Sequence, residues 1–414
     1  MSLSVGIVGL PNVGKSTIFN SMTNAQVASE NYAFCTIEPN HGVVLVPDTR
    51  IDTIKKYITT EKTIYNTIEF FDIAGLVKGA STGEGLGNKF LSHIRNVDAI
   101  IHIVRCFENG DVTHVDGDID PIRDIETINT ELLLKDIESI EKRIKTIEKI
   151  AKSGDAEAKS ELNLLNNMLP DLNEGKMIHD LQIEHSDLEK LKSLALITAK
   201  PMIYVANISD DDLINPDNTY LNNLRTYLEA QGKIMITLSG AIEMEISSMD
   251  INEQKDFLKE YGLEESGLNK MIRNAYKTLQ LETFFTAGPK EVRAWSIQRG
   301  STAPEAAGVI HTDFQRGFIK AEVYTINDLI EYKNVLINIV CPTLLIHSKD
   351  DKTSVFNNYT IAKRYIPSDD LSDLIVERSH HNIFDCDDEK ELIHQTILDF
   401  INRHISQNQT SIKH

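Results

Sequence analysis

The chain has 414 residues, a formal net charge of −20, 41% hydrophobic and 25% charged residues. This is the balance of a globular protein with room for two or three domains and a large core, and the acidic total argues against indiscriminate binding to nucleic acid while leaving room for a local basic patch. The four cysteines (Cys35, Cys106, Cys341, Cys386) have no metal-like spacing, and neither a signal-peptide pattern nor an apolar run of membrane-spanning length is present, so a reduced, cytoplasmic protein without a membrane contact is expected.

The first element is an apolar strand over residues 4–8 (SVGIV), followed at once by Gly9-Leu10-Pro11-Asn12-Val13-Gly14-Lys15-Ser16-Thr17 and a helix over residues 17–23. This fits the phosphate-binding pattern G-x-x-x-x-G-K-[ST] in its required strand-turn-helix setting. Successive N–H groups and the helix N-terminus make a positive concavity for phosphates. The nucleotide-binding residues expected here are Asn12, Val13, Gly14, Lys15, Ser16 and Thr17, with Lys15 reaching the β- and γ-phosphates and Ser16 ligating Mg²⁺. Further apolar runs at 41–46, 67–71, 99–104, 202–206 and 233–238, several separated by helical patterns, make a doubly wound α/β sheet. In such sheets ligands sit at the carboxyl ends of the strands, where the Gly9 loop lies.

Between the first helix and the second strand, residues 31–40 (NYAFCTIEPN) are polar and turn-prone. Thr36 stands where a switch threonine ligates Mg²⁺, and Cys35 beside it reads as a small packed residue. The strand ending in Phe71-Asp72-Ile73-Ala74-Gly75 supplies D-x-x-G: Asp72 for the Mg²⁺ shell and the Gly75 N–H for the γ-phosphate. Leu76 follows, where many GTPases place a water-positioning glutamine, so another group must orient the water. The glycine-rich loop 78–87 contains Gly79-Ala80-Ser81-Thr82-Gly83, a formal G-x-S-x-G; no apolar strand enters it, so the nucleophile-elbow match is accidental.

GLPNVGKST, NYAFCTIEPN, DIAGLVKGAS, GEGLGNKFLSHIRNVDAIIHIVRCFE and DPIRDIETINTEL together resemble the YchF/Obg-like ATPase family, and the resemblance runs to about Tyr332. It implies a P-loop nucleotide hydrolase that prefers ATP to GTP, hydrolyses it slowly with Mg²⁺ and associates with ribosomes or ribosomal RNA in a translation- or stress-related switch.

Downstream of the switch motifs, His114 lies in the polar stretch DVTHVDG. It is the candidate to position or deprotonate the catalytic water, since Leu76 cannot, and the family pattern points the same way; a surface histidine without a role remains the alternative. His93, in a helical stretch, reads as structural. Leu133, Ile137, Ile140, Ile144 and Ile147 recur at helical intervals, and a second leucine-rich segment begins at Ala156. The resemblance implies a helical hairpin inserted over about 124–196. The base-reading loop is Asn207-Ile208-Ser209-Asp210. GTPases have N-K-x-D there, the aspartate accepting from guanine N1–H and N2–H₂. Ile208 breaks that pattern in agreement with the family; Asp210 stands where the family often has glutamate and leaves guanine recognition open. Ser239 and Gly240 open the last base-contacting turn.

Residues 1–282 are thus expected to form the nucleotide domain. Residues 283–332 resemble a truncated β-grasp TGS module, with Lys290, Arg293, Arg299, Arg316 and Lys320 as a local basic face. Residues 333–414 look like the end of an α/β-hydrolase, a foreign fragment whose simplest origin is a fused or wrongly joined reading frame. Asp351 and His381 match its triad acid and base, without a serine nucleophile before them, and its strands at 335–339 and 343–347 are expected to present unpaired edges. Three other readings stay open: a GTPase of the same core, an ester hydrolase working through the tail, and a nucleotide-binding switch that rarely hydrolyses.

Overall fold

The structure, a computed structural model, describes residues 3–27, 40–73, 93–108, 118–214, 217–330, 343–348, 363, 371–377 and 387–411. The chain divides into two units: residues 1–49, 62–286 and 291–318 form the first, and residues 50–61, 287–290 and 319–414 the second.

The first unit is built on a six-stranded sheet. Its strands are β1 (Leu3–Val8), β2 (His41–Leu45), β4 (Thr67–Asp72), β5 (Ala99–Arg105), β6 (Met202–Asn207) and β7 (Met235–Leu238). β3 (Lys62–Ile64) belongs elsewhere. The spatial order is β2-β4-β1-β5-β6-β7, with β2 antiparallel to β4 and every other pairing parallel. β5 and β6 are buried along their whole length, and their near-continuous apolar composition is what a parallel strand covered on both sides requires. Strand order runs outward from β1 in both directions, so the topological switch point lies between β1 and β5, where the residue 9–14 loop leaves the sheet. Each of the six apolar runs expected between residues 4 and 238 coincides with a strand to within two residues.

Two local differences have simple causes. The first helix is longer than expected, Lys15–Val27. Its start lies inside the phosphate loop, because Gly14 adopts φ 96° and its C=O then accepts from Ile18 N. β3 is only three residues long and half exposed, so it has no apolar signature of its own; it exists because it pairs in parallel with β9 (Glu291–Gln298), which also borders β8 (Leu281–Ala287). That small sheet is stitched to the main one by Asn66, whose Nδ2 donates to Tyr276 Oη (3.2 Å) and Thr283 Oγ1 (3.0 Å).

Between β5 and β6 stand the helices Pro121–Lys152 and Ala156–Asn173. Asp120 and Asp155 cap their N-termini, accepting from Arg123 N and Ala158 N, and Pro121 occupies the first turn, where its missing N–H costs nothing. Gly154, at φ 101°, turns the chain between them. Ile147, Ala151 and Ala158 pack at that end, and Arg143 forks onto Glu161 at 2.6 and 2.8 Å. At the other end Asp136, fully buried, accepts from Ile197 N, Thr198 N and Thr198 Oγ1, fixing the approach to β6.

In the second unit β10 (Thr343–Ser348) pairs in parallel with β11 (Leu371–Val376) along all six residues of each, and the helix Asp387–Ser411 follows. The expectation that residues 343–347 present an unpaired strand is corrected on the side that faces β11; a parallel partner had no local turn signal to announce it. Residues 335–339, Asp351 and His381 lie outside the described residues. Among the described residues no helix is long and apolar enough to cross a membrane.

Candidate nucleotide site

The phosphate loop is held by contacts that leave no room for larger residues. A Cβ at Gly14 would collide with Asn207 Nδ2, and one at Gly9 with the Ile103 carbonyl. Asn12 takes a left-handed conformation, φ 64°, which asparagine tolerates better than most residues. Asn207, at the end of β6, is the strut beneath the loop: Nδ2 donates to Val13 O and Oδ1 accepts from Gly240 N, each at 2.9 Å. One buried amide therefore ties the phosphate loop to the 239–241 turn.

Lys15 is 7% exposed and its Nζ donates to Leu10 O at 2.8 Å. Burial lowers its pKa to about 8, against an opposing pull from the Asp72 carboxylate. His102, on β5 and 1% exposed, is held neutral, its pKa lowered to about 3 by burial and by the Lys15 ammonium. The loop thus has one mobile cation and no competing histidine charge below it. Ser16 Oγ donates to Asp72 Oδ2 at 3.0 Å, while Asp72 Oδ1 is buried without a hydrogen-bond partner among the described residues. A hydroxyl and a carboxylate oxygen side by side, with one buried oxygen left over, fit the all-oxygen shell of Mg²⁺.

A cleft of about 500 Å³ runs from this loop to the turns that follow β6 and β7. Asn12, Gly14, Lys15, Ser16 and Thr17 line one end; Phe107, Glu108, Asn207, Ile208, Ser209, Asp210, Ser239, Gly240 and Ala241 line the rest. Ile208 is buried, its N–H bonded to Leu238 O at 3.0 Å. Ser239 caps the helix Gly240–Ser247 and donates its hydroxyl to Asp210 Oδ1 at 2.5 Å. Asp212 accepts from Ser209 Oγ (2.6 Å) and from Asn218 Nδ2 (2.8 Å).

Of the residues expected from the sequence, Asn12, Gly14, Lys15, Ser16, Thr17, Asn207, Ile208, Asp210, Ser239 and Gly240 line this cleft. Val13 contributes through its carbonyl on Asn207. Thr36, Gly75 and His114 lie outside the described residues, as do Cys35, Leu76 and Ser81. His93 is exposed. Phe107 and Glu108 were missed: nothing in RCFEN marks a ligand wall, and only the pairing of Arg105 with Asn207 brings the two residues beside the 207–210 loop. Two of the expected basic-face residues are already engaged: Arg293 lies over the Trp295 ring at 4.0 Å, and Arg299 pairs with Glu282 at 3.3 Å.

Comparison with known proteins follows the same division. A profile described as 50S ribosome-binding GTPase matches residues 4–154, and the YchF-GTPase_C profile, described as a protein of unknown function (DUF933), matches residues 281–349. The chain is 52% identical over 333 residues to the ribosome-binding ATPase YchF of Haemophilus ducreyi, covering 80% of this chain and 91% of that protein. It is 48% identical over 331 residues to the protein of the same name in Bacillus subtilis, covering 80% and 90%. The solved structure of the Schizosaccharomyces pombe YchF GTPase superposes with a TM-score of 0.72 at 39% identity, over 80% of this chain and 90% of that one. The C-terminal profile runs past residue 332, so residues 333–349 belong to that domain family. The assignment of the whole stretch 333–414 to an α/β-hydrolase fragment is corrected accordingly.

Proposed function

The chain belongs to the YchF family of P-loop nucleotide hydrolases, and from that premise we propose that it is a ribosome-associated ATPase that binds and slowly hydrolyses ATP in preference to GTP. The observation that carries this reading is the continuous cleft from the Lys15 loop to the Ile208 turn. Its phosphate end offers loop N–H groups, one partly desolvated ammonium and the Ser16–Asp72 oxygen pair. Its base end presents a buried isoleucine where guanine-specific loops carry lysine. The ribosome as partner rests on the relatives, which are ribosome-binding ATPases.

Lys15 is the cation for the β- and γ-phosphates, and Ser16, Asp72 and Thr36 are the Mg²⁺ ligands in this reading. The ion, when bound, neutralises charge developing on the phosphate oxygens. Gly75 N–H meets the γ-phosphate, and His114 orients the attacking water. Residues 1–282 act as the nucleotide domain, with the hairpin between β5 and β6 as its insertion, and a TGS-like module follows from residue 283. We assign no ester hydrolysis to the tail: a G-x-S-x-G elbow needs two glycines, and no glycine stands after Gly317.

Calorimetric titration with ATP and with GTP tests the reading, ATP binding more tightly. A tenfold preference for GTP would overturn it and make Asp210, already oriented by Ser239, a guanine reader. Single-turnover hydrolysis separates a hydrolase from a switch that only binds.

The Lys15 environment adds a pH dependence. Its folded-state pKa, about 8, lies below the ordinary 10.5. Below pH 8 the ammonium is charged and ready for phosphate; above it the free protein must take up a proton to bind. ATP affinity should therefore be flat just below pH 8 and fall by up to about tenfold per unit as pH rises through that value. The sign for stability is opposite: burying the charged form is unfavourable below pH 8, and that penalty is relieved between 8 and 10.5. An affinity that rises across this interval would remove Lys15 from the phosphate contact.

A further inference from the structure

We propose that Glu108 is the base-specificity residue of the cleft, accepting a hydrogen bond from the exocyclic 6-amino group of adenine. The proposal deepens the ATPase reading and rests on it.

Arg105 is the partner of Asn207 across β5 and β6, and Cys106 N donates to Asn207 O at 2.8 Å. The two chains then leave the sheet side by side, so Phe107 and Glu108 run beside the 208–210 loop, at the end of the cleft where that loop lies. That is the end a base occupies when its phosphates sit in the loop.

The stretch 105–108 is braced before any ligand arrives. Arg105 Nε donates to Phe107 O at 3.0 Å, and its guanidinium lies 4.7 Å from the Phe107 ring centroid. That stack fixes one face of the ring and suits the other for a purine. Asn218 Nδ2 donates both to Cys106 O (2.7 Å) and to Asp212 Oδ2 (2.8 Å), cross-linking the two walls of the base end. Tyr220 Oη donates to Glu108 Oε1 at 2.8 Å, holding the exposed carboxylate by one of its two oxygens. An ionised carboxylate only accepts. It therefore matches the N6 amine of adenine and opposes the O6 carbonyl of guanine, whose lone pairs face it. Asp210, the other carboxylate among the lining residues, is engaged by Ser239, so Glu108 and Asp210 have separate anchors. Preorganisation is what turns one such contact into discrimination, because no ordering cost is left to offset it.

The test measures the affinity of the full chain for ATP, GTP and purine riboside 5′-triphosphate, which has no 6-substituent. In the natural protein ATP should bind roughly ten- to hundredfold more tightly than the purine riboside triphosphate, the range for a hydrogen bond to a charged group. Glu108→Gln is isosteric and exposed, so it folds. Its amide can donate to O6, so the ATP-to-GTP affinity ratio should fall about tenfold or more while the purine riboside triphosphate binds as before. Tyr220→Phe, which removes only the tether, should lower the same ratio by less. An unchanged ratio in Glu108→Gln, or an equal loss for all three nucleotides, overturns the proposal. Failure of the natural protein to bind any of the three would instead strike the nucleotide-site reading itself, so the two failures are distinguishable.

Discussion

Lys15→Ala abolishes measurable nucleotide binding while the chain stays folded. The ammonium is the one mobile cation of the phosphate loop, and its Nζ now rests on Leu10 O, 2.8 Å away, inside a largely buried setting. Desolvation has already weakened its hold on a proton, and the Asp72 carboxylate only partly restores it. Phosphate oxygens are the stronger partner for such a group. Two charge-assisted hydrogen bonds at about 1.5–3 kcal/mol each put the loss at roughly 10²- to 10⁴-fold in affinity. The fold does not depend on the ammonium, since the loop is held by the Asn207 strut on Val13 and Gly240. Calorimetric titration reads the affinity, and circular dichroism checks the fold. A folded variant that binds ATP as the natural protein does would sink the phosphate-loop assignment.

His114→Ala leaves binding intact and slows hydrolysis by about 10²- to 10⁴-fold, the range for a positioned general acid–base group. The case is one of chemistry and chain order. Leu76 has no side-chain hydrogen-bonding group to offer the water, and His114 is an imidazole in the polar stretch DVTHVDG of the sequence. Single-turnover hydrolysis at saturating ATP, beside a binding titration, separates the two effects. An unaltered turnover rate removes His114 from the mechanism; a parallel loss of affinity makes it a binding residue.

The proteins most useful for dissecting these effects are those in which only one link changes. Asn207 is an example to avoid as a first variant, because its amide holds the phosphate loop and the 239–241 turn together and its loss would blur both ends of the cleft. Glu108 and Lys15 stand on separate segments and share no hydrogen-bond partner, so their effects should add.

Chain-local chemistry determined a good deal of this protein. The apolar runs that became β1, β2, β4, β5, β6 and β7 are visible because a buried strand must be apolar over successive residues. The phosphate loop is visible because its glycines, lysine and hydroxyl act within nine consecutive residues, and the Ser16–Asp72 pair follows from two such motifs. The hairpin helices announced themselves by periodicity.

Tertiary structure alone decided the rest, wherever a residue's role depends on a partner distant in sequence. β3 is a strand only because β9 lies beside it, more than two hundred residues later. β10 acquires its partner from a parallel pairing that no turn foretells. Asn207, which lines the cleft as expected, is also a structural strut, because both ends of its amide meet backbone from other segments. Phe107 and Glu108 carry no motif; the β5–β6 register, the Asn218 cross-link and the Tyr220 hydroxyl bring them to the base end. Periodicity and spacing report what a segment buries or binds by itself, whereas a cleft wall is made by the convergence of separate strand ends, which is set only when the sheet forms.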